Sequence, residues 1–281
     1  MRWPTRIVLI LVLALATSAC GVRLAYNNLD WLIMRWVNKQ ITLSAEQTLA
    51  VRDALDAKLD WHCASELPDY VAFLERFDAD LASERLDAEA LERHGRTVSE
   101  FGQRLVAHSM PTIVDLFASL DDEQVGELLA GIDQRNRELI EDEIVVEAAV
   151  RRQNQIDSLV RGIERFAGSV NEAQRERLTA WAESLRFSAP HALAHRLQWR
   201  AELAEILELR GQRPRFDERL SSLLEPGAGW SAEYTELMNH NRARTLEALA
   251  DVHALSSPRQ KREFRERITD LADDFERLSC G

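Results

Sequence analysis

The sequence has few of the features that usually reveal an enzyme or a nucleotide-binding protein. Its 11 glycines are scattered along 281 residues, and they form no phosphate-binding loop, dinucleotide fingerprint or G-x-S-x-G nucleophile elbow. The formal net charge of −12 lacks the basic excess that contact with nucleic acid requires. We therefore expect no catalytic residues, no resident cofactor and no nucleic-acid partner.

Strand signals are missing as well. The chain has no sustained period-two alternation and no Asn-Gly hairpin turn. Apolar residues recur instead at three- and four-residue spacing, with Ala, Leu, Glu and Arg between them. This pattern predicts an all-α protein with no sheet, formed as a single extended domain of about ten helices. The predicted helices are 28–40, 45–64, 66–83, 87–109, 111–119, 122–168, 172–186, 190–210, 215–224, 231–253 and 258–279.

Two of these boundaries depend on single residues. Pro111 separates helices 87–109 and 111–119, because proline removes a helical hydrogen bond. Within 122–168, Gly162 or Gly168 could bend or end one long helix. A subdivision of the domain near 168–171 is the alternative to a single unit.

Cysteine is scarce, and the first of the three positions is informative. Cys20 closes the stretch Thr17-Ser18-Ala19-Cys20, behind Arg2, Arg6 and an uncharged apolar run. This order predicts a lipoprotein signal peptide over 1–19, removed before Cys20. The run is shorter than the roughly 20 residues of a membrane-spanning helix. An ordinary secretory signal followed by a chance cysteine is the alternative.

Cleavage at Cys20 would leave a covalent N-terminal lipid as the only attached group. Two or more acyl chains anchor a protein stably, so the membrane would be a permanent partner. Gly21, rather than an aspartate, follows the cysteine, and this favours the periplasmic face of the outer membrane. The predicted mature chain has a lipid-anchored N-terminal segment, 20–43, and a helical domain, 44–281.

If Cys20 carries the lipid, two cysteines are left, Cys63 and Cys280. An oxidising periplasm permits a disulfide between them. Such a bridge would join the C-terminus to an early helix. Two separate thiols are the alternative.

One helix-start element occurs four times. A capping residue is followed three positions later by glutamine, as in a capping box. The pairs are Ser44 and Gln47, Asp121 and Gln124, Asn171 and Gln174, and Ser257 and Gln260. The element resembles the L-T-x-x-Q motif of Spy- and CpxP-type periplasmic proteins, which are ATP-independent chaperones and stress modulators. Four ordinary helix caps are the structural alternative.

A broader resemblance covers the mature chain. After the lipid site come V-R-L-A-Y-N at 22–27 and W-H-C-A-S-E-L-P at 61–68, and a capped helix starts at Ser257. This order resembles the bacterial lipoproteins grouped as domain of unknown function 6279. The resemblance implies the compartment and the fold class, but no mechanism. Cys63 stands where that family often has arginine, which fits a bridge specific to this lineage.

The densest group of chemically capable residues lies in 61–70. His62 and Glu66 are four residues apart, so they can pair on one helical face, and Pro68 favours a helix break there. The group forms a possible binding corner or acid–base pair. A structural corner with a buried Trp61 is the alternative. The residues of the corner are Trp61, His62, Glu66, Pro68 and Tyr70.

Two further segments allow two interpretations each. His191 and His195 also lie four apart, as zinc ligands can, but no third ligand is nearby, and we predict no metal site. The apolar segment Leu29–Val37 follows the anchor closely. It can lie against the bilayer as an interfacial helix or pack into the core.

The sequence therefore predicts a non-enzymatic envelope lipoprotein that scaffolds or binds a protein partner through helical surfaces. The alternative is a Spy-like periplasmic chaperone. A weaker third hypothesis is an enzyme or metal protein that uses His62 with Glu66 or His191 with His195. The partner and the oligomeric state are not predicted.

Overall fold

The structure of the protein, a computed structural model, describes residues 19–83 and 86–280. The predicted signal peptide lies outside the described residues, except for its last residue, Ala19. Within the described ranges the chain is helical and contains no strand, which confirms the all-α prediction. The helices are α1 (Ala19–Tyr26), α2 (Leu29–Val37), α3 (Ala45–Trp61), α4 (Leu67–Ala82), α5 (Ala88–Ala118), α6 (Asp122–Leu139), α7 (Ala148–Ala167), α8 (Glu172–Ser184), α9 (Ala189–Leu207), α10 (Arg215–Leu224), α11 (Ala232–Ala254) and α12 (Pro258–Leu278).

Three clusters of buried apolar side chains hold these helices together. In the first cluster α9 packs on α6 and α10 around Phe216. In the second, α12 packs on α1 and α4 around Leu67. In the third, α8 packs on α7 and α11 around Leu178. Burial of these helical faces supplies most of the driving force for folding.

The predicted break at Pro111 is wrong. Helix α5 continues through Pro111 from Ala88 to Ala118. Phe101 before the proline and Val114 after it are both buried, so packing on both sides favours a continuous helix. The backbone carbonyl of His108, three residues before the proline, accepts a hydrogen bond from the Lys58 ammonium at 3.0 Å. Packing on both sides of Pro111 offsets part of the cost of the proline.

The single long helix proposed for 122–168 is also wrong. Helix α6 ends at Leu139, a π-helical turn covers Ile140–Ile144, and α7 starts at Ala148. The turn contains three consecutive acids at 141–143, which are unfavourable at the negative end of the helix dipole. Arg151 donates to the backbone carbonyls of Glu143 and Val146, at 2.9 and 3.1 Å, and so satisfies the break.

Of the two glycines considered as helix breakers, Gly162 lies inside α7 and Gly168 ends it. Gly168 has φ +75° and ψ −173°, a backbone region that is almost exclusive to glycine. A Cβ at this position would also clash with a carboxylate oxygen of Glu263. The conformation at Gly168 directs the chain from α7 into the cap of α8.

All four capping boxes predicted from the sequence are present. The capping side chain accepts from the N3 amide, and the glutamine carbonyl accepts from the N-cap amide, at the start of each of α3, α6, α8 and α12. The four glutamines are buried. Local capping therefore explains why each helix starts where it does.

The capping glutamines also join the helix starts in pairs, which the sequence did not predict. Gln47 and Gln124 exchange two hydrogen bonds, with Nε2 to Oε1 distances of 3.0 and 2.7 Å. The second N–H of Gln124 reaches the Thr42 carbonyl at 2.8 Å, and that of Gln47 reaches the Ser119 carbonyl at 2.9 Å. Every donor and acceptor of both buried amides is thus used, as burial requires.

A second pair joins the starts of α8 and α12. Gln260 donates to Oε1 of Gln174 at 3.0 Å and to the Ser169 carbonyl at 2.9 Å. Gln174 donates to the Val252 carbonyl at 3.0 Å. A glutamate at these positions would complete a capping box, but it has no N–H donor for the neighbouring helix. The pairing therefore explains why glutamine stands at the third helical position.

The exchange of Gln124 for glutamate tests this pairing. Gln124→Glu keeps the local cap but directs a carboxylate oxygen at two acceptors, the Thr42 carbonyl and Gln47 Oε1. We therefore expect a loss of about 2 kcal/mol in unfolding free energy at pH 7. The folded-state pKa of that carboxyl should be raised. The deficit should therefore shrink as pH falls towards the unfolded value of about 4.3. Urea unfolding at several pH values measures this.

The matched control is Gln103→Glu on the exposed surface of α5, which should change the unfolding free energy by less than about 0.5 kcal/mol. Equal effects of the two substitutions, or a deficit at position 124 that does not depend on pH, would contradict the role of the pairing.

Candidate functional site

The predicted corner at 61–70 is a continuous helix rather than a break. Helix α3 passes through a π-helical segment, His62–Glu66, directly into α4. The Leu67 N–H bonds to the His62 carbonyl, five residues back. Pro68 lies in the first turn of α4, where the wider turn before it accommodates a residue without an N–H. Such single π turns are frequent at functional sites.

The π segment carries an ion pair on its inner side. Glu66 is buried, and Arg104 of α5 binds both its carboxylate oxygens, through Nε at 2.8 Å and Nη2 at 2.9 Å. Nη2 also reaches Asp69 at 2.8 Å. Burial, followed by the Glu66 carboxylate, raises the pKa of Tyr70. Glu66 is therefore a fully engaged structural carboxylate that joins α4 to α5.

His62 binds Tyr26 rather than Glu66, so the predicted pairing of His62 with Glu66 is wrong. The Tyr26 hydroxyl and His62 Nδ1 are 2.9 Å apart. Arg104 binds both oxygens of the Glu66 carboxylate, so Glu66 pairs with Arg104 while His62 pairs with Tyr26. Burial lowers the pKa of His62, with partial opposition from the nearby Glu66 charge. Burial and Asp60 raise the pKa of Tyr26 to about 12, so both groups are neutral at pH 7.

Aromatic rings surround this hydrogen bond. Trp61 stacks on His108 of α5, with ring centroids 3.8 Å apart and planes 9° from parallel. Tyr70 contacts Phe101 of α5 at 4.7 Å and Phe275 of α12 at 5.9 Å. Trp61 is half-buried, whereas the structural alternative expected it to be fully buried. These contacts hold three helices together at the corner.

A disulfide joins Cys63 in the π segment to Cys280 after α12, with Cα atoms 5.2 Å apart. The Cys280 N–H also bonds to the Cys63 carbonyl at 3.2 Å. The bridge spans 217 residues of sequence. A crosslink over a loop of this length restricts the unfolded chain, by a few kcal/mol in the chain-entropy account.

Helix α1, which the sequence did not predict, packs against the same corner. Val22 is buried in the second core cluster. Arg23 Nε binds Asp274 of α12 at 3.0 Å, and the Asp274 carboxylate is buried. Tyr26 completes the contact through His62. The two sequence segments singled out above, 22–27 and 61–68, therefore meet in space.

The sequence alone did not indicate four residues of the corner, Arg23, Tyr26, Arg104 and Asp274. The polar partners that they bind lie 35 to 251 residues away along the chain. Spacing along one helix cannot indicate such pairs. The available signal was the presence of Arg23 and Tyr26 inside the V-R-L-A-Y-N segment.

The histidines of α9 belong to an aromatic cluster with α11. The His191 ring is parallel to that of Tyr234 at 6.5 Å, and its Nε2 lies 4.0 Å from a Glu233 oxygen. His195 contacts Trp230 and Tyr234, and burial lowers its pKa. Among the residues described by the structure, no group of three or more His, Cys, Asp or Glu could hold a metal ion.

The apolar segment Leu29–Val37 forms α2 and has two different faces. Met34 is buried, whereas Trp31, Leu32 and Trp36 are exposed. The Arg35 guanidinium lies 5.5 Å from the Trp31 ring centre. The segment therefore packs on one side and faces outward on the other. Within 19–83 and 86–280, no helix is long and apolar enough to cross a membrane.

The lowered pKa of His62 predicts an acid-sensitive corner. A histidine whose folded pKa lies below the unfolded value of about 6.5 stabilises the fold above that pH, and the contribution is lost as pH falls towards the folded pKa. We expect His62→Gln, which cannot titrate, to lose less stability than wild type between pH 7.5 and 5.5. The difference should reach at most about 1.4 kcal/mol per pH unit below 6.5. Urea unfolding of both proteins at each pH measures it, and parallel losses would contradict the role of His62.

Comparison with known proteins gives one match. The model of a family of unknown function, DUF6279, matches residues 39–235, well over half of the chain. Searches of curated proteins and of solved structures returned no match. The matched range includes the π segment, Arg104 and three of the four capping boxes, which agrees with the resemblance inferred from the sequence. The chain therefore belongs to the DUF6279 family, a family of unknown function.

Proposed function

We propose that this protein is a lipoprotein of the bacterial cell envelope, anchored through Cys20 to the periplasmic face of the outer membrane. The sequence around Cys20 supports lipidation. The Cys63–Cys280 disulfide supports an oxidising compartment. Helix α1, which contains Cys20, packs on the body of the protein through Val22, so the anchor and the helical domain act as one unit.

We further propose a non-enzymatic role as a helical scaffold that binds a protein partner of the envelope. The observation that carries this proposal is the internal engagement of the corner. Glu66 is held by Arg104, and His62 by Tyr26, so the side chains best suited to acid–base chemistry serve to join helices. The same π turn carries the exposed residues Ala64 and Ser65, and the exposed Pro68 follows it in the first turn of α4.

The rigidity of this outer surface favours recognition by contact. The disulfide, the Glu66–Arg104 pair and the Trp61–His108 stack all lie beneath or beside the π turn. A preorganised surface loses little conformational entropy on binding. A π turn followed by an exposed proline also presents a shape that a regular helix cannot.

Metabolic labelling with an alkyne-bearing fatty acid tests the anchor. We expect label on the wild-type protein and none on Cys20→Ala, because only the cysteine at the cleavage site is acylated. Cys280→Ser is the matched control: it removes a cysteine and the disulfide but leaves the lipid site, so it should keep the label. Absence of label on wild type, or label retained by Cys20→Ala, would contradict lipid anchoring.

Photo-cross-linking in living cells tests the partner-binding role. A photoreactive amino acid replaces Ser65 on the π turn or, as a matched control, Ser158 of α7, which is also an exposed serine. We expect one discrete cross-linked species from position 65 that is absent from position 158. No product at position 65, or the same products at both positions, would contradict recognition by this surface.

The Spy-like chaperone remains the alternative, and it depends on the capping motifs alone. In the structure the motif glutamines are buried and used for capping and for pairing, so the motif itself offers no surface to a client. A chaperone would give many diffuse cross-links from both positions, and the purified protein would suppress aggregation of a denatured client at stoichiometric ratio.

A further inference from the structure

The segment that follows Cys20 exposes four large apolar side chains, which together we call the anchor-side face. Its members are Leu24 of α1 and Trp31, Leu32 and Trp36 of α2, with exposed fractions of 67, 56, 38 and 42%. All four lie within residues 24–36, and exposed apolar side chains that cluster in this way indicate an interaction site, whereas singly scattered ones do not. The other large exposed apolar side chains are scattered over residues 49–255, in helices and in the connections between them.

We infer that the anchor-side face lies in the headgroup region of the bilayer and forms a second, non-covalent contact with the membrane. The inference deepens the proposed function and rests on lipidation of Cys20. It assigns α2 a role as an interfacial helix and commits to lipid, rather than a protein partner or a second copy of the chain, as the material that covers this face.

The position of the face along α1 supports this assignment. Cys20 and Leu24 are four residues apart within one helix, so their Cα atoms lie on the same side of it, about 6 Å apart along the axis. An acylated Cys20 must lie at the membrane surface. Leu24 would then lie within one helical turn of the bilayer.

The chemistry of α2 supports it independently. Trp31 and Trp36 are of the type that concentrates at membrane–water interfaces, where the ring is buried and the indole N–H stays hydrated. Arg35 lies over Trp31, and Lys39 follows the helix on its exposed side. These two cations suit lipid phosphate groups, and within residues 29–39 they outnumber the one acid, Asp30.

The packing of the opposite face keeps this surface oriented. Met34 is buried, and α2 packs on α3. Helix α1 is fixed to α12 by the Arg23–Asp274 ion pair and to the π segment by the Tyr26–His62 hydrogen bond. The anchor-side face is therefore held rigidly on the body. Its contact with lipid would set one orientation of the whole domain relative to the membrane.

Spin labelling of the full-length, lipidated protein in vesicles of phosphatidylethanolamine and phosphatidylglycerol tests the inference. In Leu32→Cys the introduced cysteine is the only free thiol, because Cys20 is acylated and Cys63 is bridged to Cys280. Val150→Cys on α7 is the matched control, since this apolar residue is similarly exposed, at 49%. Collision rates with oxygen, which enters lipid, and with a water-soluble nickel complex report the depth of each label.

We expect the ratio of oxygen to nickel-complex collisions to be severalfold higher at position 32 than at position 150. Equal ratios, in protein that still floats with the vesicles, would overturn the membrane contact and leave the lipid anchor intact. A label at position 32 that is shielded from both agents would show that protein covers the face, which also overturns the inference. Protein that carries no acyl chain and does not float would instead overturn the proposed function and this inference together.

Discussion

The constraint on which this fold depends is the burial of helix N-termini. Each helix begins with backbone N–H groups that have no partner inside the helix, and burial without a partner is costly. Here the starts of α3 and α6 meet, as do those of α8 and α12, and buried glutamine amides satisfy both starts of each pair. Because each amide serves its own helix and its neighbour, the caps set how helices pack as well as where they start.

Buried charged groups are likewise satisfied by partners on other helices. Glu66 and Asp274 are buried carboxylates, and each is bound by an arginine from another helix. A buried pair of this kind adds little net stability relative to apolar residues, but loss of one partner leaves an uncompensated charge. The pairs therefore act mainly as specificity devices. They select the packing in which α4 meets α5 and α1 meets α12.

The sequence predicts contacts between residues that are close in the chain, and it does not predict contacts between residues that are far apart in it. The four capping boxes were predictable because both partners lie within three residues, and the all-α class followed from periodicity. The break at Pro111 was wrong because packing of Phe101 and Val114 outweighs a local penalty. The pairing of His62 with Glu66 was wrong because Tyr26 and Arg104, remote in sequence, bind them.

The corner connects the predicted anchor to the rest of the molecule. Segment 22–27, which follows Cys20, and segment 61–68 contact each other in the fold through Tyr26 and His62. A flexible tether would need no such contact, since a lipid-bearing residue on a free tail still reaches the membrane. Helix α1 is instead fixed by an apolar residue, an ion pair and a hydrogen bond, beside a disulfide. With the proposed lipid on Cys20, these contacts would hold the domain in one orientation relative to the membrane. A fixed orientation would suit a protein that presents one surface to a partner, and this is the physical basis for the proposed recognition by contact.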